Sequence, residues 1–188
     1  MNATRHPGRR LLAVGLFIAL LLAVSELAGL RENFSLAFLQ QQILAHPAGG
    51  LLAFVLLFAV GNLIQIPGWL FLAAAVLTLG QFWGGLATYV AASLACVASF
   101  LLLRLLGGDA LRQLPGALAA RIFRQLDAHP VGSVALLRLL FQTLPALNAA
   151  LALSGLRFRH YLAGTLLGLP LPIALYCLLF DSLAHLLT

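Results

Sequence analysis

His46-Pro47-Ala48-Gly49-Gly50 opens an apolar run that reaches Ile66, breaks at Pro67-Gly68 and resumes from Trp69 to Leu79. His129-Pro130-Val131-Gly132-Ser133 opens a second such run, which reaches Leu144, breaks at Pro145 and resumes from Ala146 to Leu156. Proline removes a backbone donor and interrupts an ordinary helix. The arms Leu51 to Ile66 and Trp69 to Leu79 are 16 and 11 residues long, and a helix needs about 20 to cross a bilayer. A hairpin that enters and leaves on one side fits these lengths; the competing reading is a single kinked helix. Irregular backbone at membrane depth survives only where protein or a water-filled cavity covers it. Two interrupted segments in corresponding positions of two halves point to a transporter-type site.

Composition sets the compartment. The 188 residues are 62% hydrophobic and 9% charged, with a mean hydropathy of +1.04, against about 25% charged in soluble domains. This is the composition of an integral membrane protein. The net charge of +6 comes from arginine alone. Those arginines lie at segment ends, so they read as topology signals and not as a nucleic-acid face. Cys96 and Cys177 sit in apolar runs outside any C-x-x-C pair, which points away from disulfide or metal chemistry. No H-E-x-x-H, G-x-S-x-G or paired carboxylate is present, so no enzyme and no cofactor is expected.

Leu11 to Leu30 is long enough to cross; the alternative is a signal peptide cut near Ala23-Val24-Ser25. Arg31 to Ala45 reads as an interfacial helix, or else a connecting loop. Phe82 to Leu106 is a second crossing, and Gly107 to Pro130 is polar and suits an extramembrane amphipathic helix. Tyr161 to Phe180 is a third crossing, kinked by Pro170 and Pro172 and ending at Asp181. The expectation is an all-α membrane protein with about three full crossings and two opposed re-entrant hairpins. It has an N-terminal part, 1–45, and a membrane domain, 46–188, that holds inverted repeats at about 46–106 and 129–180. With the N-terminus inside, Arg5, Arg9, Arg10, Arg104, Arg112, Arg121, Arg124, Arg157 and Arg159 all fall inside and only Arg31 outside. That is a strong positive-inside asymmetry, and it puts the hairpins on opposite faces.

Arg138 lies eight residues into the second broken segment, flanked by leucines. Placing an arginine at mid-membrane costs about 2.5–3.5 kcal/mol on insertion scales. It therefore faces a polar cavity or partner, or snorkels to the interface. Gln142, Pro145 and Asn148 near it, with Asn62, Gln65, Pro67 and Gly68 in the first segment, form a candidate polar path. An arginine fork suits phosphate because it donates two hydrogen bonds at once. No intramembrane carboxylate accompanies them to carry protons.

Over about Ala45 to Phe180 the chain resembles the DedA family, the wider set of VTT-domain or SNARE-associated Golgi-type membrane proteins. The resemblance rests on Asn62 to Gly68, on Gly80-x-x-x-Gly84, and on Phe100-Leu101-Leu102-Leu103-Arg104 with Gly107. It also rests on Arg138 to Pro145 with Asn148 and Gly155. It implies opposed re-entrant hairpins and movement of lipid across the bilayer: undecaprenyl phosphate for bacterial members, phospholipid for eukaryotic ones. The chain departs from the pattern at Gly61 and Trp69, where acidic residues often flank the turn. It departs again at Phe141, Leu147 and Asn148, where the family often has a proline and a second arginine. The expected protein is a flippase or scramblase for a phosphate-bearing lipid in a bacterial inner membrane, with a cytoplasmic N-terminus, membrane lipids as partners and a homo-oligomer as an option. The alternative is a non-transporting scaffold or assembly factor.

Overall fold

The computed structural model describes residues 7–27, 29, 34–45, 49–64, 66–113 and 116–187, the side chains of 7, 45, 117–119 and 181–187 excepted. Among these residues all regular structure is helical. In chain order the helices are α1 (Pro7–Leu27), α2 (Leu36–Ala45), α3 (Gly49–Leu63), α4 (Gly68–Leu79), α5 (Gln81–Gly107), α6 (Ala117–Ala128), α7 (Pro130–Phe141), α8 (Pro145–Leu153), α9 (Phe158–Gly168) and α10 (Pro170–Leu187). A 3-10 turn, Ala110–Gln113, precedes α6. Three stretches are long and apolar enough to span a bilayer: Gly8–Leu27, Gln81–Gly107, and Phe158–Phe180, which joins α9 to α10. The protein is an integral membrane protein.

Helix α5 is the mast of the fold. Its 27 residues extend about 40 Å at 1.5 Å per residue. Gly80, at φ 79°, turns the chain from α4 into α5. A Cβ on Gly84 would lie 2.6 Å from the Ala75 backbone, so these two antiparallel helices touch with no room for a side chain. Helix α3 then folds back on α4. Phe71 lies 4.7 Å from Phe58 and 6.2 Å from Phe54, ring to ring, whereas one continuous helix would separate residues 54 and 71 by about 25 Å. Asn62 donates to Ser99 Oγ at 3.1 Å, and Gly68 shares a gap with Thr88 and Ala92. The break between α3 and α4 therefore lies alongside the middle of α5, and both arms open toward its Gln81 end.

The second pair opens the other way. Arg104 donates to the Ala152 carbonyl at 2.8 Å, and Leu153 packs on Gly107, so α8 ends at the Gly107 end of α5. Helices α7 and α9 run side by side in the same direction, because Gly164 faces Val131 and Val134 while Gly168 faces Ala135 and Arg138. Helices α9 and α10 descend along α5: Tyr161 reaches the Cys96 carbonyl, Tyr89 reaches the Leu166 carbonyl, and Cys177 lies at Gly85. Helix α1 covers one side, with Arg10 3.9 Å from Asp109 and Val14 against Gly107.

Both breaks are wider than a lone proline requires. Helix α3 stops at Leu63, where Ile66 N–H bonds to the Gly61 carbonyl at 2.8 Å. Helix α7 stops at Phe141, followed by Gln142 at φ 50°. Of the segment read as an interfacial helix, residues 31–33 lie outside the described residues. Helix α2 forms within the rest, with Leu39 and Ile43 buried against α3 and α4 while Leu44 is exposed. Helix α6 forms where an amphipathic helix was expected, with Leu126 buried and Ile122, Arg121 and Arg124 exposed.

Candidate functional site

Arg138 is the largest fully buried side chain among the described residues, at 0% exposure. Its position follows from two glycines. Gly164 and Gly168, four apart on α9, let α7 approach so closely that a Cβ at either would lie 2.7 or 2.5 Å from a carbonyl oxygen of Val131 or Ala135. Small residues at this spacing are how membrane helices bring backbones together. That contact puts the guanidinium among α7, α8 and α9. Nε donates to Thr165 Oγ1 at 3.3 Å, and Nη1 donates to the Gln142 carbonyl at 2.8 Å. Nη2 donates to Asn148 Oδ1 at 2.6 Å and to Tyr161 Oη at 2.7 Å. The Tyr161 hydroxyl donates to the Cys96 carbonyl at 2.9 Å, and its ring stacks on Phe100 at 4.1 Å.

Four of the five guanidinium N–H groups are thus used, and all four acceptors are neutral. Among the described residues no carboxylate pairs with Arg138. Arginine remains charged in proteins, so the centre of the molecule carries a positive charge that is hydrogen-bonded and has no carboxylate partner among the described residues. The bond to the Gln142 carbonyl also steadies the one non-glycine residue at positive φ among the described residues, a conformation that is uncommon outside glycine.

The two breaks meet. Gly68 and Thr143 touch across them, a Cβ on Gly68 lying 2.7 Å from Thr143 Oγ1. A cavity of about 300 Å³ is lined by residues of both turns, Pro67, Gly68, Gln142, Thr143 and Pro145 among them, and is flanked by Trp69, Phe141 and Tyr176. Of the residues singled out in the sequence, Pro67, Gly68, Gln142 and Pro145 line this cavity. Arg138 stands behind the Gln142 wall without lining it. Asn62 and Asn148 share a separate, smaller gap on the α1 side. Gln65 lies outside the described residues. Phe100 stacks under Tyr161, and Gly107 admits α8 and α1. Half-buried Arg104 caps α8 at the carbonyl end, where a cation is favoured.

Sequence reasoning missed Tyr161, Thr165 and Ser99 as partners of these groups. The available signal was the set Tyr161, Gly164, Thr165 and Gly168, which places two polar and two small residues on one face of an apolar helix. Arg112 was likewise read only as a topology marker. It donates to the Ser154 carbonyl at 3.2 Å and pairs with Asp127.

The family model described as the VTT domain matches residues 66–182, more than half of the chain. It begins at the first break, so α1, α2 and α3 precede it. No curated protein and no solved structure matches the chain significantly.

Proposed function

Since the chain belongs to the VTT-domain family, the domain of the DedA and SNARE-associated Golgi proteins, we propose that it moves a phosphate-bearing lipid across the bilayer as a flippase or scramblase. The observation that carries this reading is the 300 Å³ cavity shared by both turns beside the middle of α5. In a bilayer the two broken pairs act as re-entrant hairpins of an inverted repeat, entering from opposite faces and meeting near the midplane. Gln142, Thr143 and Tyr176 in the largely apolar wall of the cavity give a head group polar contacts at the depth where lipid alone offers none. Arg138 attracts the phosphate through the wall by its charge, which a low-dielectric surrounding screens poorly. Acyl or isoprenyl tails stay in lipid against Trp69, Leu140 and Tyr176. Arg10, Arg104 and Arg112 at the Gly107 end support a cytoplasmic position for that end by the positive-inside rule, as a bacterial inner-membrane protein would have it.

Reconstitution in vesicles with a labelled phospholipid or polyprenyl phosphate tests the reading. Flip rates above those of empty vesicles are expected, with a loss in Leu140→Trp, which fills the cavity without touching Arg138. Rates equal to empty vesicles for both lipids contradict it.

The engagement of four of the five Arg138 N–H groups by neutral partners supports a second reading, a non-transporting scaffold in which the arginine only packs the hairpin. A stoichiometric protein partner recovered by crosslinking, together with no lipid movement, selects that reading.

A further inference from the structure

Asn148 is 1% exposed. Its Oδ1 accepts from Arg138, which fixes the orientation of the amide, and this leaves Nδ2 buried without a hydrogen-bond partner. An unmade buried donor of this kind costs about 1–3 kcal/mol, so the group calls for an acceptor. Asn148 lines a gap of about 20 Å³ whose other polar walls are Asn62 and Ser99, closed on the α1 side by Phe17, Ile18 and Leu21. Asn62 uses its Nδ2 on Ser99 Oγ; its Oδ1 is then an acceptor in the same wall. A single water needs about 10–15 Å³ and two to four polar partners. The gap supplies both.

We propose that this gap is a water site that joins the tips of the two hairpins. The water accepts from Asn148 Nδ2 and donates to Asn62 Oδ1, with Ser99 Oγ as a further partner. A continuous hydrogen-bonded relay then runs from Arg138 through Asn148 and the water to Asn62 and Ser99, crossing from α8 to α3 and α5. The first hairpin is thereby tied to the buried charge through solvent. A tip joined in this way can move by exchanging a water, whereas a direct buried bond would have to be broken unpaired. The gap beside Thr88, at about 10 Å³, is at the lower limit for a water and is left out of the relay.

This proposal stands whether or not the protein moves lipid, and its test needs no transport. A density map of the full chain in nanodiscs, at a resolution that shows ordered water, is expected to hold a peak within about 3.2 Å of both Asn148 Nδ2 and Asn62 Oδ1. The peak disappears in Asn62→Leu, which removes the acceptor and fills the space. In labelled protein the Asn148 side-chain amide shows a cross-relaxation signal to water in the wild type and loses it in Asn62→Leu. A direct Asn148–Asn62 bond with no density between them, acyl density in the gap, or an amide with no water signal overturns the proposal.

Discussion

The two broken helix pairs hold irregular backbone inside an apolar protein by opposite means. In α3–α4 the turn is secured by aromatic packing. Phe34, Phe54 and Phe58 surround Phe71 with ring separations of 4.7–6.2 Å, and Gly61 admits the Phe71 ring edge. In α7–α8 the turn is secured by a charge, Arg138, which bonds the Gln142 carbonyl directly and reaches side chains on two further helices. Dispersion falls off gradually as contacts loosen, whereas a buried hydrogen-bond network fails as a unit when its centre is removed. The first hairpin should therefore tolerate repacking, and the second should not tolerate loss of its central donor.

Breaking that contrast at its strongest point, Arg138→Met is expected to remove the donor shared by four acceptors, of which Tyr161 Oη and Asn148 Oδ1 keep a bond to each other. At about 1–3 kcal/mol for each of the two left unpaired, Thr165 Oγ1 and the Gln142 carbonyl, the loss is about 3 kcal/mol. Thermal unfolding in detergent should show it as the largest shift of the set, with Arg138→Lys recovering part. The matching change in the first hairpin, Phe71→Ala, opens a cavity, for which soluble cores lose about 3–5 kcal/mol. Lipid tails are as apolar as the core, so the transfer part is reduced and a loss of about 2 kcal/mol is expected. Phe71→Leu should recover most of it, which no residue does fully for Arg138.

Gly168→Ala sharpens the comparison by probing access and not chemistry. The added methyl meets the Ala135 carbonyl and the Arg138 Cβ at 2.5 and 2.7 Å, pushing α7 from α9. Overpacking of this kind costs about 1–3 kcal/mol and should be accompanied by weaker Arg138–Thr165 contact in a density map. Arg104→Ala is the mildest change. It removes one half-buried hydrogen bond at the carbonyl end of α8, about 1 kcal/mol, read as a small fall in unfolding midpoint.

Much of this was legible in the sequence because length and proline are local signals. The arms were too short to cross, the breaks fell at Pro67 and Pro145, and the arginines marked one end. The meeting of the two turns was not legible, since it depends on how both pairs lie along α5. Arg138 was legible as a special residue, but its burial was not, because that is set by Gly164 and Gly168 on a helix 26 or more residues away in sequence. The packing of α2 against α3 and α4 was hidden for a related reason. Its Leu39 and Ile43 look the same in sequence whether lipid or a neighbouring helix covers them.

The central claim is that the two pairs open on opposite sides of the bilayer and meet between them. Single cysteines placed at Gly49, Leu79, Ser133 and the exposed Arg157, with Cys96 and Cys177 replaced by alanine, test it most directly with a membrane-impermeant thiol reagent in oriented vesicles. The account predicts that 49 and 79 label from one side, and that 133 and 157 label from the other. Labelling of 49 and 79 from opposite sides would make α3–α4 a crossing helix and contradict it.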